Sequence, residues 1–292
     1  MTFPAHLLFP LGSSIGYVIA VLLVKRSAAY GVGLWRTTFV SNLTMGICFA
    51  PLWLLGGAGQ PASLLWQPAL AGALFFLGQA CTFWAMSGDV SIATPVLGLK
   101  IIMVALASAL FLSDPVPFKW WIAAALSTAA IALLNATGRK DHRKVSTTVL
   151  AAATAAFLYA LSDVVVQKWT PAWGAGRFLP LMFASVAIYS FGLIPLFRAP
   201  LSTIPAAGWR WLGPGSVVLA GQSASMAYVL GVFGDATAVN IVYSSRGLWS
   251  VAAVWLIGHW FSNTEGQVGP AVMRRRLMGA LLMLAAIGLV VI

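Results

Sequence analysis

Two cations and two amides stand where a long apolar sequence leaves little room for them. Lys100 falls about nine residues into the apolar run 92–112, and Arg246 about eleven residues into the run 236–257. At 1.5 Å per helical residue both reach the middle of a bilayer, where insertion scales put the cost of a cation at roughly 2.5–3.5 kcal/mol. Neither side chain snorkels easily to an interface from that depth. A cation kept there points to an anionic group, above all a carboxylate, as its partner. The plainer alternative is a structural cation satisfied by helix-end carbonyls. Gln79 and Gln222 are the two amides. An amide both donates and accepts, so it suits the amino and carboxyl groups of an amino acid, or it simply ties helices together.

Around Arg246 the pattern is richer. Tyr243, Arg246 and Trp249 recur every three residues and share a helix face. An aromatic-plus-cation stripe suits a planar ring bearing a carboxylate, because the ring stacks while the guanidinium takes the acid. Ordinary packing produces the same spacing. Trp84 is a further aromatic candidate for the cavity, although five residues from Gln79 it turns toward packing or an interface. Tyr159, Asp163 and Gln167 are four apart and line one side of the run 147–166. Asp163 is a candidate proton or cation site. With the span ending about three residues later, a hydrated carboxylate at the membrane edge fits better.

Enzyme chemistry finds no support. His6, His142 and His259 are far apart or at span ends, and no HExxH pattern occurs. No metal or cofactor is expected. A passive channel would need a ring of equivalent filter residues, and one chain shows none.

The elements that position these residues follow from composition. The chain has 292 residues, 60% hydrophobic and 8% charged, against roughly 25% charged in soluble domains. Its solvent is lipid. The net charge of +11 does not indicate nucleic acid, because the basic residues sit in short gaps between apolar runs. Cys48 and Cys81 read as small hydrophobes inside such runs. Spans are expected at 6–24, 35–55, 67–87, 92–112, 118–137, 147–166, 178–197, 210–230, 236–257 and 275–292. Twelve basic residues flank one side of this arrangement and three the other, which predicts both termini on the non-cytoplasmic side.

The chain also repeats itself. Lys25 maps on Lys168 and Gly78-Gln79 on Gly221-Gln222 at an offset of 143. Gly88-Asp89 maps on Gly234-Asp235, and Lys100 on Arg246, at 146. The expected fold is therefore all-α integral membrane: ten transmembrane helices as two inverted five-helix repeats, residues 1–144 and 145–292, with no soluble domain. Inverted repeats recur in secondary transporters, with the substrate site at their mid-membrane junction.

The stretch Ala93–Leu134, ATPVLGLKIIMVALASALFLSDPVPFKWWIAAALSTAAIALL, ends one span in an acidic turn at Asp114 and opens the next with a basic-aromatic lead. The second half closes similarly on MRRRLMGALLMLAAIGLVVI, with Glu265 in the loop before it. On these segments, and over nearly its whole length, the chain resembles the drug/metabolite transporter superfamily in its ten-span EamA-like branch. Within it the chain looks most like the YddG-type exporters of aromatic amino acids. The resemblance implies a basket of ten helices around a central cavity in a bacterial-type inner membrane. It also implies export of small metabolites, most of all aromatic or apolar amino acids, by a carrier that is expected to be monomeric. Export of organic cations or drugs, or carriage of anionic metabolites, are the alternatives. The small drug exporters of the superfamily place a Glu in their first span; here that span has no acid, which weighs against proton-coupled cation antiport.

Overall fold

Apolar runs longer than about 18 residues fold in lipid as helices, because each backbone N–H and C=O must be satisfied within the segment. The computed structural model describes residues 4–86, 90–112, 115–134, 145–257 and 270–292. Gly88, Asp89, Asp114, Arg139, Lys140, His142, Arg143, Lys144, His259 and Glu265 lie outside the described residues. A 3₁₀ turn at Ala5–Leu7 leads into α1 (Leu8–Ala28), followed by α2 (Leu34–Phe49), α3 (Trp66–Met86), α4 (Val90–Leu97), α5 (Lys100–Phe111) and α6 (Phe118–Leu134). Then come α7 (Val145–Trp173), α8 (Ala175–Ser190), α9 (Ala206–Val232), α10 (Ala236–Tyr243), α11 (Arg246–Ile257) and α12 (Pro270–Val291). No strand occurs among the described residues, and seven of their helices are long and apolar enough to cross a membrane. The protein is an all-α, multi-pass membrane protein.

The order of elements recurs along the chain. α2 and its 3₁₀ tail Ala50–Leu55 reappear as α8 and the tail Phe191–Leu196, every bound 141 residues on. Val90, Leu97, Lys100 and Phe111, the bounds of α4 and α5, correspond to Ala236, Tyr243, Arg246 and Ile257, each 146 residues on. Packing partners exchange in step: α1 lies along α9 and α3 along α7, while α2 meets α9 and α8 meets α3. α2 also packs on α8, and α6 on α12.

Two sequence expectations change. The helix expected at 147–166 runs on to Trp173, which places Asp163 well inside α7 rather than near its end. The runs 92–112 and 236–257 are interrupted, at Gly98-Leu99 and at Ser244-Ser245. Around both interruptions the backbone bonds shorten to the i−3 pattern, Leu99 N–H to Val96 O and Ile101 N–H to Gly98 O in one, Ser245 N–H to Val242 O and Gly247 N–H to Ser244 O in the other. At the first break stands Gly98, a poor helix former whose N–H is shared between Thr94 O and Pro95 O. At the second, the Ser244 hydroxyl bonds the Ile241 carbonyl, a local competitor of the helical ladder.

The ends of the bundle are tied by polar and aromatic contacts. At one end the buried Arg36 donates to Pro200 O at 3.2 Å and Thr203 Oγ1 at 3.1 Å. At the other, the Arg177 guanidinium lies 4.1 Å over Trp53, and Trp173 Nε1 donates to Gln67 Oε1 at 2.8 Å. The turn between α7 and α8 passes so close to Gly57 that a Cβ on Gly174 would sit 2.8 Å from the Gly57 Cα, and Gly174 itself has φ +76°. Gly174→Ala therefore combines a left-handed backbone with an overpacked contact and is expected to cost about 1–3 kcal/mol. The check is thermal unfolding of the purified protein in detergent; an unchanged midpoint would show that this approach constrains nothing.

Candidate functional site

The interruption of each broken helix brings a cation to the first position of the second half-helix: Lys100 opens α5 and Arg246 opens α11. The two have different surroundings. Lys100 Nζ lies 2.7 Å from Asp163 Oδ2, with the side chains only 17% and 14% exposed. The same Oδ2 accepts from Asn240 Nδ2 at 2.8 Å. Asp163 on α7 thus joins α5 to α10, one broken helix to the other. Lys100 also stands 5.6 Å over the ring of Tyr159, the central residue of α7.

Arg246 has no such counter-ion. Among the described residues no carboxylate lies within ion-pair distance of it; Asp163 is taken by Lys100, and Asp235 faces His6 at 4.0 Å. Its guanidinium is instead set between two rings, 4.9 Å over Tyr17 of α1 and 4.8 Å over Tyr243 of α10. Those rings meet edge to face with centroids 6.2 Å apart. Tyr159 is close enough to both Tyr17 and Arg246 to interact electrostatically with them. Arg246 itself is partly buried. Four helices build this enclosure: α1, α7, α10 and α11. The N-terminus of α11 adds the positive end of its backbone dipole to the guanidinium charge.

The amides serve the frame. Gln79 on α3 and Asn42 on α2 exchange two hydrogen bonds, 2.9 and 3.1 Å, and Asn42 also donates to Ser190 Oγ of α8 at 2.8 Å. Gln222 donates to Leu219 O and Ser223 Oγ, while its Oε1 accepts from the Tyr243 hydroxyl at 3.0 Å. That bond orients Tyr243 beside Arg246. Gln222 also lines a cleft of about 750 Å³ between α1 and α9, with Ser13, Gly16, Gly221 and Ser225. Gln167 accepts from the Ala236 N–H at 2.8 Å and fixes the start of α10.

Of the sequence candidates, Lys100, Asp163 and Tyr159 come together, as do Gln222, Tyr243 and Arg246. Gln79 belongs to a separate amide pair. Trp249 is 37% exposed and Trp84 is 72% exposed, so neither indole is enclosed with the tyrosines. Sequence reasoning missed Tyr17, Asn42 and Asn240. Asn240 had a legible signal, a polar residue three before Tyr243 in an apolar run. Tyr17 had none, because its partner is more than two hundred residues away. Among the described residues no three His, Cys, Asp or Glu side chains converge as metal ligands would.

The hydroxyls repeat the theme of holding the breaks. Thr128 of α6 donates to Gly98 O at 3.3 Å, and Ser14 of α1 bonds Ser245 Oγ at 2.9 Å. Removing one member of a poorly hydrated ion pair leaves an uncompensated charge, at about 3–5 kcal/mol. Asp163→Leu or Lys100→Met alone is expected to lower the thermal midpoint strongly, and the two together to recover most of the loss. A double variant whose loss equals the sum of the two single losses in a double-mutant cycle would show the pair to be uncoupled.

No family model and no curated protein matches the chain. Its fold is similar to that of a solved crystal structure, with a TM-score of 0.79 at 15% identity, covering 99% of both chains.

Proposed function

We propose that the protein is a membrane carrier that moves small carboxylate-bearing metabolites, aromatic or apolar amino acids among them, by alternating access around the Arg246 enclosure. The observation that carries this reading is Arg246: a partly buried guanidinium, unpaired among the described carboxylates, flanked by the rings of Tyr17 and Tyr243 from different helices. In lipid an unpaired cation is expensive to hold. Tyrosine faces offset part of that cost by cation–π attraction, and an incoming carboxylate offsets the rest.

The mechanism follows from the two breaks. Local 3₁₀ geometry inside a helix commonly marks a hinge, and here each hinge carries a cation at its centre. In this reading the ten expected spans form two inverted repeats. The constant 141- and 146-residue displacements of matching elements support that, as does the exchange of packing partners between halves. Two related halves then have two nearly equivalent packings, one open to each side. A carboxylate binding Arg246 favours whichever packing brings α1, α7 and α10 tightly around it, and so shifts the population between them.

The carrier is placed as a monomer in a bacterial-type inner membrane with both termini outside, as the basic loops predict. Single cysteines at exposed loop positions, labelled by an impermeant thiol reagent in intact cells, test that orientation; labelling of the α1–α2 turn from outside reverses it. Flux in proteoliposomes tests the function. Arg246→Gln is expected to stay folded and to bind carboxylate substrates about 10- to 100-fold more weakly, the value of a charge-assisted hydrogen bond. Full transport by a folded Arg246→Gln protein would remove the residue from the site.

A further inference from the structure

Charge inside the bundle is unevenly matched, and the mismatch has a sign. Lys100 and Arg246 supply two positive charges near the helix breaks, and Asp163 supplies one negative charge. The Asp163 carboxylate is spent on Lys100 Nζ and Asn240 Nδ2, both through Oδ2. The other described acid, Asp235, lies beyond α9 and faces His6. The described cluster therefore holds one unmatched positive charge, on Arg246.

From this we infer that the Arg246 enclosure selects a monoanion, one carboxylate on a flat apolar or aromatic body, over a zwitterionic amino acid of the same shape. The inference rests on the carrier reading and narrows its substrate class. A carboxylate neutralises Arg246 and leaves the site balanced. A zwitterion brings an ammonium as well, and that group needs an acceptor or an anion in a poorly hydrated place. Two kinds of partner are available in principle, and each already holds a cation.

The first is Asp163. Its Oδ2 already takes Lys100 and Asn240, so an ammonium at the same carboxylate sets two cations on one anion and leaves the cluster one positive charge in excess. The second is a tyrosine face, which attracts ammonium groups. Tyr17 and Tyr243 already carry the Arg246 guanidinium, and Tyr159 already carries Lys100. The amide of Gln222 is no substitute, since its oxygen accepts the Tyr243 hydroxyl. The same oxygen could take an ammonium only by releasing the tyrosine that flanks the guanidinium. An amine without a carboxylate is the worst case, because it meets Arg246 as a like charge.

Three probes with one phenyl ring and similar chains separate the cases: 3-phenylpropionate, phenylalanine and phenethylamine. Binding to the purified full-length protein is measured by thermal shift, and flux by proteoliposome uptake, all at neutral pH. Expected is 3-phenylpropionate about tenfold or more tighter than phenylalanine, with phenethylamine not binding. Arg246→Gln should abolish the preference. The paired variant Lys100→Met with Asp163→Leu, which removes no net charge, should keep it. Phenylalanine bound and carried as well as 3-phenylpropionate, or better, overturns the monoanion selectivity while the carrier reading stands. Retention of the preference in folded Arg246→Gln overturns it too. Absence of flux for all three and for a wider set of metabolites takes down the carrier reading itself.

Discussion

A carboxylate buried in an apolar bundle must be matched, and the match made by Asp163 organises the charged interior of this protein. One oxygen takes the ammonium of Lys100 and the amide of Asn240. Three helices from distant parts of the sequence, α5, α7 and α10, are thereby fixed to one point. The pairing has a second effect. Because Asp163 is engaged with Lys100, Arg246 is left with tyrosine faces instead of an acid. Of two cations at matching helix starts, a single ion pair thus gives one an acid partner and leaves the other among rings. Burying a pair is a weak source of stability but a strong source of geometry, since losing either member leaves a charge with nowhere to go.

The broken helices set each cation at a helix end. A continuous helix through residues 92–112 or 236–257 would hold its cation on a rigid rod. Interrupting the ladder at Gly98-Leu99 and Ser244-Ser245 gives each half-helix its own end and its own neighbours. Hydroxyls from α6 and α1 rest on the two breaks, Thr128 on Gly98 O and Ser14 on Ser245. Such bonds are individually modest and easily remade, which suits a joint more than a weld.

The surrounding frame is built differently. Asn42, Gln79 and Ser190 close a hydrogen-bonded set between α2, α3 and α8, and Phe49 stacks on Phe183 at 3.8 Å where α2 meets α8. Small residues let backbones approach: a Cβ on Gly72 would lie 2.7 Å from Met182 O, and one on Gly78 would lie 3.1 Å from the Tyr159 ring. Packing of this kind depends on size at each position more than on identity. That is the physical reason a fold can be shared over 99% of two chains at 15% identity.

Much of the architecture is written in the one-dimensional pattern. Apolar runs of bilayer length dictate helices, because lipid offers the backbone no other partner. The 146-residue offset read from Lys100 and Arg246 is also the offset between the bounds of α4–α5 and those of α10–α11. The cations themselves announced a site, since hydrocarbon makes each one conspicuous. What periodicity could not give was partnership. Asp163 read as an edge carboxylate because hydropathy fades before α7 ends at Trp173, and nothing local to residue 163 names Lys100 or Asn240 as its neighbours. Tyr17 joins Arg246 for the same reason: contacts between helices far apart in sequence arise from packing order. Depth in the membrane is a property of one segment and can be read from it, whereas charge compensation is a property of several segments at once, and only their assembly decided that Lys100 rather than Arg246 pairs with Asp163.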